Sequence, residues 1–482
     1  MDSKSKPKKE TKNIMWHTLA LMAFSGVWGF GNIINGFSEY GGLKAIVSWL
    51  LIFTLYFIPY SLMVGEMGSA FKDAGGGVSS WVNETTTAKL AYYAGWTYWI
   101  VHMPYISQKP SRIIIALSWI VNGDPSISNA NVMVVQAASL AIFFIVLWLS
   151  SRGVNFVKTI SSIAGMSSFV MSLLFVLLAI VAPALGDSSQ LHDASLTVER
   201  VMPTFDSTFF LNLSILVFAV GGCEKISPYV NNMKNPSKDF PLGMIALVVM
   251  VATTAVLGTI ALARFYDTNN VPADLMTNGD YYAFSILGKY YGVGNLFMII
   301  YAISEFLGQV AVMVISIDAP LRILIESTDD KYIPQSLRKK NKYGAYTNGH
   351  KLIAVIISIL IILPAFGISN VDALVRWLVK LNSVVMPLRY LWVFFAYFML
   401  KKAGDKFDSE YHFTKNKWTG YLAAIWCFAF TAFACGMGMI SKDPFQLVMN
   451  VATPIILIAL GLIMPKFANK ERQAFKQDDL ID

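Results

Sequence analysis

Long apolar runs, separated by short polar stretches, recur along nearly the whole chain. They fall near residues 14–36, 43–69, 91–121, 131–150, 159–182, 208–230, 240–263, 294–325, 351–369, 374–400, 418–440 and 445–465. A membrane-crossing helix needs roughly 20 apolar residues, and each run is long enough for one crossing. Backbone inside a bilayer must satisfy its own hydrogen bonds, which favours helices. The pattern predicts an all-α polytopic membrane protein with about twelve transmembrane helices.

Composition sharpens this. Hydrophobic residues make up 55% of the 482 and charged residues 14%, against about 25% charged in soluble proteins. A water-soluble enzyme is disfavoured. Cys223, Cys427 and Cys435 all lie in apolar stretches, which argues against a disulfide framework. The His residues are scattered singly, so no zinc site and no cofactor is predicted.

The net charge of +8 reads as topology rather than as a nucleic-acid footprint. Alternating crossings place both tails on one face. That face carries the tail lysines Lys4, Lys6, Lys8, Lys9 and Lys12, and a cluster between spans 8 and 9 that includes Lys331, Arg338, Lys339 and Lys340. Lys401, Lys402, Lys406, Lys466 and Lys470 fall there as well. The opposite loops hold more acids, such as Asp187, Asp193, Glu199, Asp267, Asp274 and Asp280. The positive-inside rule then makes both termini cytoplasmic in a multi-pass protein of the cell membrane. Tails at 1–13 and 468–482 flank one transporter-sized membrane domain at 14–467. The first apolar stretch is too long for a signal-peptide core. The basic loop near 326–350 is suited to anionic lipid headgroups.

Two spans look broken. Span 1 reads Gly26-Val27-Trp28-Gly29-Phe30-Gly31-Asn32, and span 6 reads Phe218-Ala219-Val220-Gly221-Gly222-Cys223-Glu224-Lys225, followed by Ser227-Pro228. Each glycine costs about 1 kcal/mol relative to Ala in a helix. Interrupted backbone at membrane depth is tolerated where it lines a cavity, and paired interruptions mark transporter sites. Close packing through small residues is the alternative reading. If the breaks are real, N–H groups at Gly29, Phe30 and Gly31 face a carboxylate, and carbonyls near Phe218, Ala219 and Gly221 accept from an ammonium group. Such a pocket suits a zwitterion, and the α-amino acid is the obvious one. Breaks five spans apart fit inverted repeats at about 14–182 and 208–400, with extra helices at about 418–465.

The chain resembles amino acid–polyamine–organocation permeases over nearly its whole length. The resemblance is carried by the Gly-rich span 1 and by Gly65-Glu66-Met67 leading into Gly75-Gly76-Gly77-Val78-Ser79-Ser80-Trp81. It is carried further by Gly222-Cys223-Glu224 leading into Asn235-Pro236-Ser237-Lys238-Asp239-Phe240-Pro241. The last two are more like the glutamate/GABA exchanger branch. The resemblance implies a LeuT-type 5+5 fold and amino-acid transport by alternating access, with substrate between spans 1 and 6. Two departures stand out. Phe30 replaces a serine common among relatives, so its ring is expected to narrow the carboxylate wall. Val220 stands where relatives often place an aromatic gate.

A charge at the bilayer centre is costly and hence a functional hypothesis. Glu305 in span 8 is open between a partner for a cationic substrate group, a proton carrier and a structural counter-ion. Tyr105 and Lys109 sit beside Pro110 and Arg112 in span 3, where a cation pairs with Glu305 or Glu224 or binds an acidic substrate. Glu224 and Lys225 are expected to lock the break in span 6. Asp318 and Arg322 are spaced to pair with each other, and Arg376 and Lys380 to reach the surface. Glu66 closes span 2 as a gate salt bridge or an exposed charge. Trp28 and Phe30, inside the break, are placed to cover the substrate.

Span 5 lacks charged residues from Thr159 to Ala182, which favours exchange over ion-driven symport, although its serines 161, 162, 167 and 168 offer oxygen ligands. The expected function is an antiporter exchanging an amino acid for its decarboxylated amine, with a proton-coupled uptake permease as the alternative. No filter repeat suggests a channel, and no clustered nucleophile and base suggests an enzyme.

Overall fold

The computed structural model describes residues 14–74, 77–152, 154–185, 188–267, 272–407 and 409–478. The tail lysines, Gly75, Gly76 and Asp187 lie outside the described residues, as do the side chains of Ser161 and Ser162. Among the described residues the chain is helical, with isolated bridges and no sheet strand.

Ten helices are long and apolar enough to cross a membrane, and the bent pair Trp16–Val27 and Phe30–Tyr40, at 44°, makes an eleventh span. Span 1 is this pair. Span 2 is Gly42–Ala70, span 4 Val132–Ser150, span 6 Ser207–Asn232 and span 7 Pro236–Phe265. Span 8 is Leu296–Glu326, span 9 Thr347–Phe366, span 10 Val371–Ala403, span 11 Lys417–Met439, and span 12 begins at Pro444. Span 5 is the helix Val154–Leu185.

The expected span 3 forms as Ala88–Ile100 and His102–Val121, yet it is not apolar enough to be counted. His102, Gln108 and Lys109 explain this: all three are buried among other helices. Hydropathy measures what lipid demands, and a helix sheathed by protein escapes that demand.

Both breaks form. In span 1, Trp28 and Gly29 are extended (φ −128° and −153°) between two helices. In span 6 the helix Leu213–Val220 stops, Gly221 is extended, and Gly222 has φ 110° before a 3₁₀ stretch, Cys223–Asn232. That left-handed conformation favours glycine, and a Cβ on Gly222 would lie 3.0 Å from a guanidinium nitrogen of Arg389. A Cβ on Gly221 would overlap the Tyr390 phenol.

Span 10 has an interruption that the sequence reading did not single out. Its helix Val371–Val385 passes through a 3₁₀ turn, Met386–Arg389, into Tyr390–Ala403. Pro387 supplies no N–H, which loosens the helix there. The turn carries Arg389 to the break in span 6.

Ile14 bridges to Met233 at the end of span 6. The last helix, Met464–Asp478, reaches the loop between spans 8 and 9, where Ser336 N–H donates to Glu471 at 3.1 Å. The helix Leu275–Tyr290, which is not a span, packs against spans 1 and 8.

Candidate functional site

A cavity of about 140 Å³ lies where the two breaks face each other, walled by spans 1, 3, 6, 8 and 10. Gly26, Trp28, Gly29 and Gly31 form one side. A Cβ on Gly29 or Gly31 would meet nothing within 4 Å, so a ligand has room to approach the backbone there. The helix Phe30–Tyr40 begins at this point, and the first N–H groups of a helix lack intrahelical partners. They point positive dipole ends toward the cavity.

The two breaks are tied together. Asn32 donates its side-chain amide to the Val27 carbonyl at 3.3 Å and to the Ala219 carbonyl at 3.4 Å. Gly221 N–H donates to Phe218 at 3.3 Å. Of the three carbonyls expected to receive an ammonium group, those of Phe218 and Ala219 therefore already accept protein donors. Phe218 and Gly221 line the cavity, whereas Ala219 and Gly222 do not.

Phe30 is a correction. Its ring does not narrow the carboxylate wall; it packs on Phe175, Phe284 and Tyr301, with centroids 4.9, 5.0 and 5.8 Å away. As the first residue of a new half-helix it is turned onto span 5 and span 8. Trp28 does face the cavity, with its ring edge against Trp49, and its indole N–H has no partner among the described residues.

The charges divide into two kinds. Glu224 is fully buried and saturated. It accepts from Tyr60, from Tyr98 at 3.0 Å, and lies 3.2 Å from Arg389 Nε. Arg389 also contacts His102 and donates to Tyr390 at 3.2 Å. Glu224 thus joins spans 2, 3 and 10 to the break, without pairing with its neighbour Lys225. Glu66 is saturated too, with Lys401 at 2.5 Å, Tyr397 at 2.8 Å, Phe413 N–H at 3.0 Å and His412 at 3.3 Å. It is 2% exposed, so the salt-bridge reading holds over the exposed one.

Lys109 and Lys225 are the other kind. They are 7% and 4% exposed, line the cavity, and have no carboxylate within 4.0 Å among the described residues. Both ammonium groups lie against the Tyr105 ring, at 4.0 and 5.4 Å from its centroid. Cation–π contact offsets only part of the cost of burial.

Across the cavity stand Glu305, held by Gln309 at 2.5 Å, and Asp280. Asp280 is a second correction: counted among the acids of the loops, it is 5% exposed and carried into the wall by the helix Leu275–Tyr290. Asp318 and Arg322 pair at 2.6 Å, and so do Asp372 and Arg376. Among the described residues no group of His, Cys, Asp or Glu could hold a metal. Arg389, missed as a site residue, was legible as an Arg inside an apolar span two residues after Pro387.

Comparisons with known proteins give the family. A family model described as "Amino acid permease" matches residues 14–463. The "Aspartate/glutamate permease AcaP" of Lactococcus lactis subsp. cremoris is 49% identical over 482 residues, covering 98% of each chain. The "Inner membrane transporter YjeM" of Salmonella typhimurium is 24% identical over 80% of this chain and 82% of its own. The "Glutamate/gamma-aminobutyrate antiporter" of Lactococcus lactis subsp. lactis is 22% identical over 72% of this chain and 68% of its own.

Proposed function

The chain belongs to the amino acid permease family, and we propose that it carries acidic amino acids, aspartate and glutamate, by alternating access. The observation that carries this is the pair of buried ammonium groups, Lys109 and Lys225, on the cavity wall, with no carboxylate partner among the described residues. An unpaired buried charge costs several kcal/mol, and a substrate with a second carboxylate supplies the missing partner. A neutral amino acid would leave that cost in place. The α-carboxylate goes to the free N–H groups at Gly29–Gly31, the side-chain carboxylate to Lys109 and Lys225, and the α-ammonium to Glu305 and the Gly221 carbonyl. With Arg389 taken by Glu224, three cationic side chains, Lys109, Arg112 and Lys225, face two anionic ones on this wall, which suits an anion. A relative named as an aspartate/glutamate permease supports the same substrate class.

We read the chain as inverted repeats at about 14–182 and 208–400, with the rocking motion around spans 1 and 6. The positive-inside pattern supports a cell-membrane protein with both termini cytoplasmic. An anion moving inward against an inside-negative potential meets about 2.3 kcal/mol per 100 mV, so uptake needs a counter-substrate or an accompanying cation. Exchange for the decarboxylated amine is the second reading, favoured by Glu305 on the wall and by the glutamate/γ-aminobutyrate relative.

The test uses purified protein in liposomes and labelled aspartate. Vesicles are empty, loaded with aspartate, or loaded with β-alanine or γ-aminobutyrate. Aspartate and glutamate should outcompete neutral amino acids by at least about tenfold, the equivalent of 1.4 kcal/mol. Equal competition by alanine or leucine overturns the acidic-substrate reading. Uptake only into amine-loaded vesicles makes exchange the mode.

A further inference from the structure

We infer that a groove between spans 4 and 9 binds one anionic phospholipid, whose phosphate is held by Arg152, Lys342 and Lys351. This site stands apart from the substrate cavity and does not depend on which amino acid is carried.

The groove is a cavity of about 370 Å³ between the Ser150 end of span 4 and the Thr347 end of span 9, closed on one side by the loop between spans 8 and 9. Its apolar side is Phe144, Leu147, Trp148 and Ala354. Phe144 and Trp148 are exposed, as are Ile145 and Val355 beside them. Large apolar side chains left open on membrane-crossing helices are matched by acyl chains, which are as apolar as leucine. Trp148, near the end of its span, stands where tryptophans meet the headgroups.

The polar side is built by the loop. Lys340 bridges to Tyr346, and Asn341 N–H donates to the Ala345 carbonyl at 2.9 Å, which closes a hairpin. The Asn341 side-chain amide donates to the Ser151 carbonyl at 3.0 Å and pins this hairpin to the end of span 4. From span 8, Arg322 donates to the Gly344 carbonyl at 3.3 Å. His350 of span 9, buried in the groove wall, has Nε2 at 2.9 Å from the Ser150 hydroxyl. The groove is therefore fixed by hydrogen bonds among spans 4, 8 and 9.

The cations at its rim are without counter-ions. Glu326 lies 3.3 Å from Arg322 and 3.7 Å from Lys340, and Asp330 lies 2.9 Å from Arg338. Arg152, Lys342 and Lys351 have no carboxylate within 4.0 Å among the described residues. The Arg152 guanidinium lies over the Trp148 ring at 4.1 Å, and the Lys342 ammonium over the Tyr343 ring at 5.1 Å. A stacked guanidinium still presents its N–H edge, whose fork matches a phosphate. Lys351 lines the groove itself, in the second turn of span 9.

These two sides together select the occupant. A soluble anion would answer the cations and leave the apolar side bare. A zwitterionic lipid would cover the apolar side and bring its own ammonium among three cations. An anionic phospholipid satisfies both, and by binding the folded protein alone it should stabilise it.

The experiment is native mass spectrometry of the purified protein with phosphatidylglycerol and phosphatidylcholine at equal concentrations. Wild type should retain phosphatidylglycerol in preference. Each basic side chain near an anionic headgroup contributes about fivefold, so Arg152→Gln combined with Lys351→Gln should lower that retention by at least about tenfold. Lys331→Gln combined with Lys339→Gln, on the same loop but outside the groove, should leave it within about twofold. Wild-type retention by the first pair overturns the inference, and equal loss by the second pair reduces it to diffuse attraction of a basic surface. Displacement of phosphatidylglycerol by millimolar inorganic phosphate would make this a free-anion site and overturns it too. A measurement on wild type alone covers variants that fail to fold: in detergent, added phosphatidylglycerol should raise the melting temperature above that with phosphatidylcholine. The same melting temperature with both lipids overturns the inference.

Discussion

Glu224 and Lys225 are neighbours in sequence, both buried, and opposite in circumstance. Glu224 has two phenols and a guanidinium around it, whereas Lys225 has an aromatic ring and no carboxylate among the described residues. A saturated buried charge holds helices in place, because removing any partner leaves another charge stranded. An unsaturated one is a cost that the fold tolerates for a ligand. The contrast separates the frame of this site from its working surface, and mutations should separate them the same way.

The largest effect belongs to the frame's backbone. Gly222→Leu puts a side chain at φ 110° against Arg389, and transport should fall by more than about a hundredfold, beyond 2.7 kcal/mol, while the protein still inserts. Wild-type uptake by the inserted variant would mean that span 6 is not a wall of the site. Next is Arg389→Gln. Breaking a buried pair by removing one partner costs about 3–5 kcal/mol, so the melting temperature in detergent should drop sharply, with transport falling alongside. An unchanged melting curve would place Arg389 outside the frame.

On the working surface the two readouts should part company. Lys225→Gln and Lys109→Gln remove unpaired buried charges, so thermal stability should hold or rise. Aspartate uptake should nevertheless fall by about tenfold to a hundredfold, as expected when a charged hydrogen-bond partner worth about 1.5–3 kcal/mol is lost. Competition by neutral amino acids should improve relative to aspartate. Loss of stability together with uptake would move the lysines into the frame and remove the main support for an acidic substrate.

The sequence exposed the backbone of this site better than its side chains. Glycine clusters are local signals, and both breaks formed where Gly29, Gly31, Gly221 and Gly222 put them. The i,i+4 spacing of Asp318 and Arg322 was equally local. Facing was not. Whether Phe30 points into or away from a cavity depends on the rotation of its half-helix, which packing against Phe175 and Phe284 sets. Asp280 read as a solvated loop acid because nothing near it in sequence shows that Leu275–Tyr290 folds back onto span 8. Arg389 was visible as a charge in an apolar run, yet its partner Glu224 is 165 positions away. Long-range pairing is what a single sequence hides.

The smallest expected effect tests the saturated kind at its most redundant point. Glu66 has Lys401 at 2.5 Å, the Tyr397 hydroxyl at 2.8 Å and the Phe413 N–H at 3.0 Å before His412 is considered. His412 stands 3.3 Å away, with half of its side chain exposed. Exposed pairs contribute about 0–1 kcal/mol, and three shorter bonds already satisfy the carboxylate. His412→Gln should therefore shift the melting temperature by no more than about 2 °C, the scale of a change well under 1 kcal/mol in a protein of this size, and leave aspartate uptake within about twofold. Lys401→Gln, by contrast, strips a buried carboxylate of its cation and should destabilise by several times as much. If the His412 variant were the more damaging of the two, the loop that carries it would be a moving part of the transport cycle, and the division between frame and working surface would not extend to the basic face.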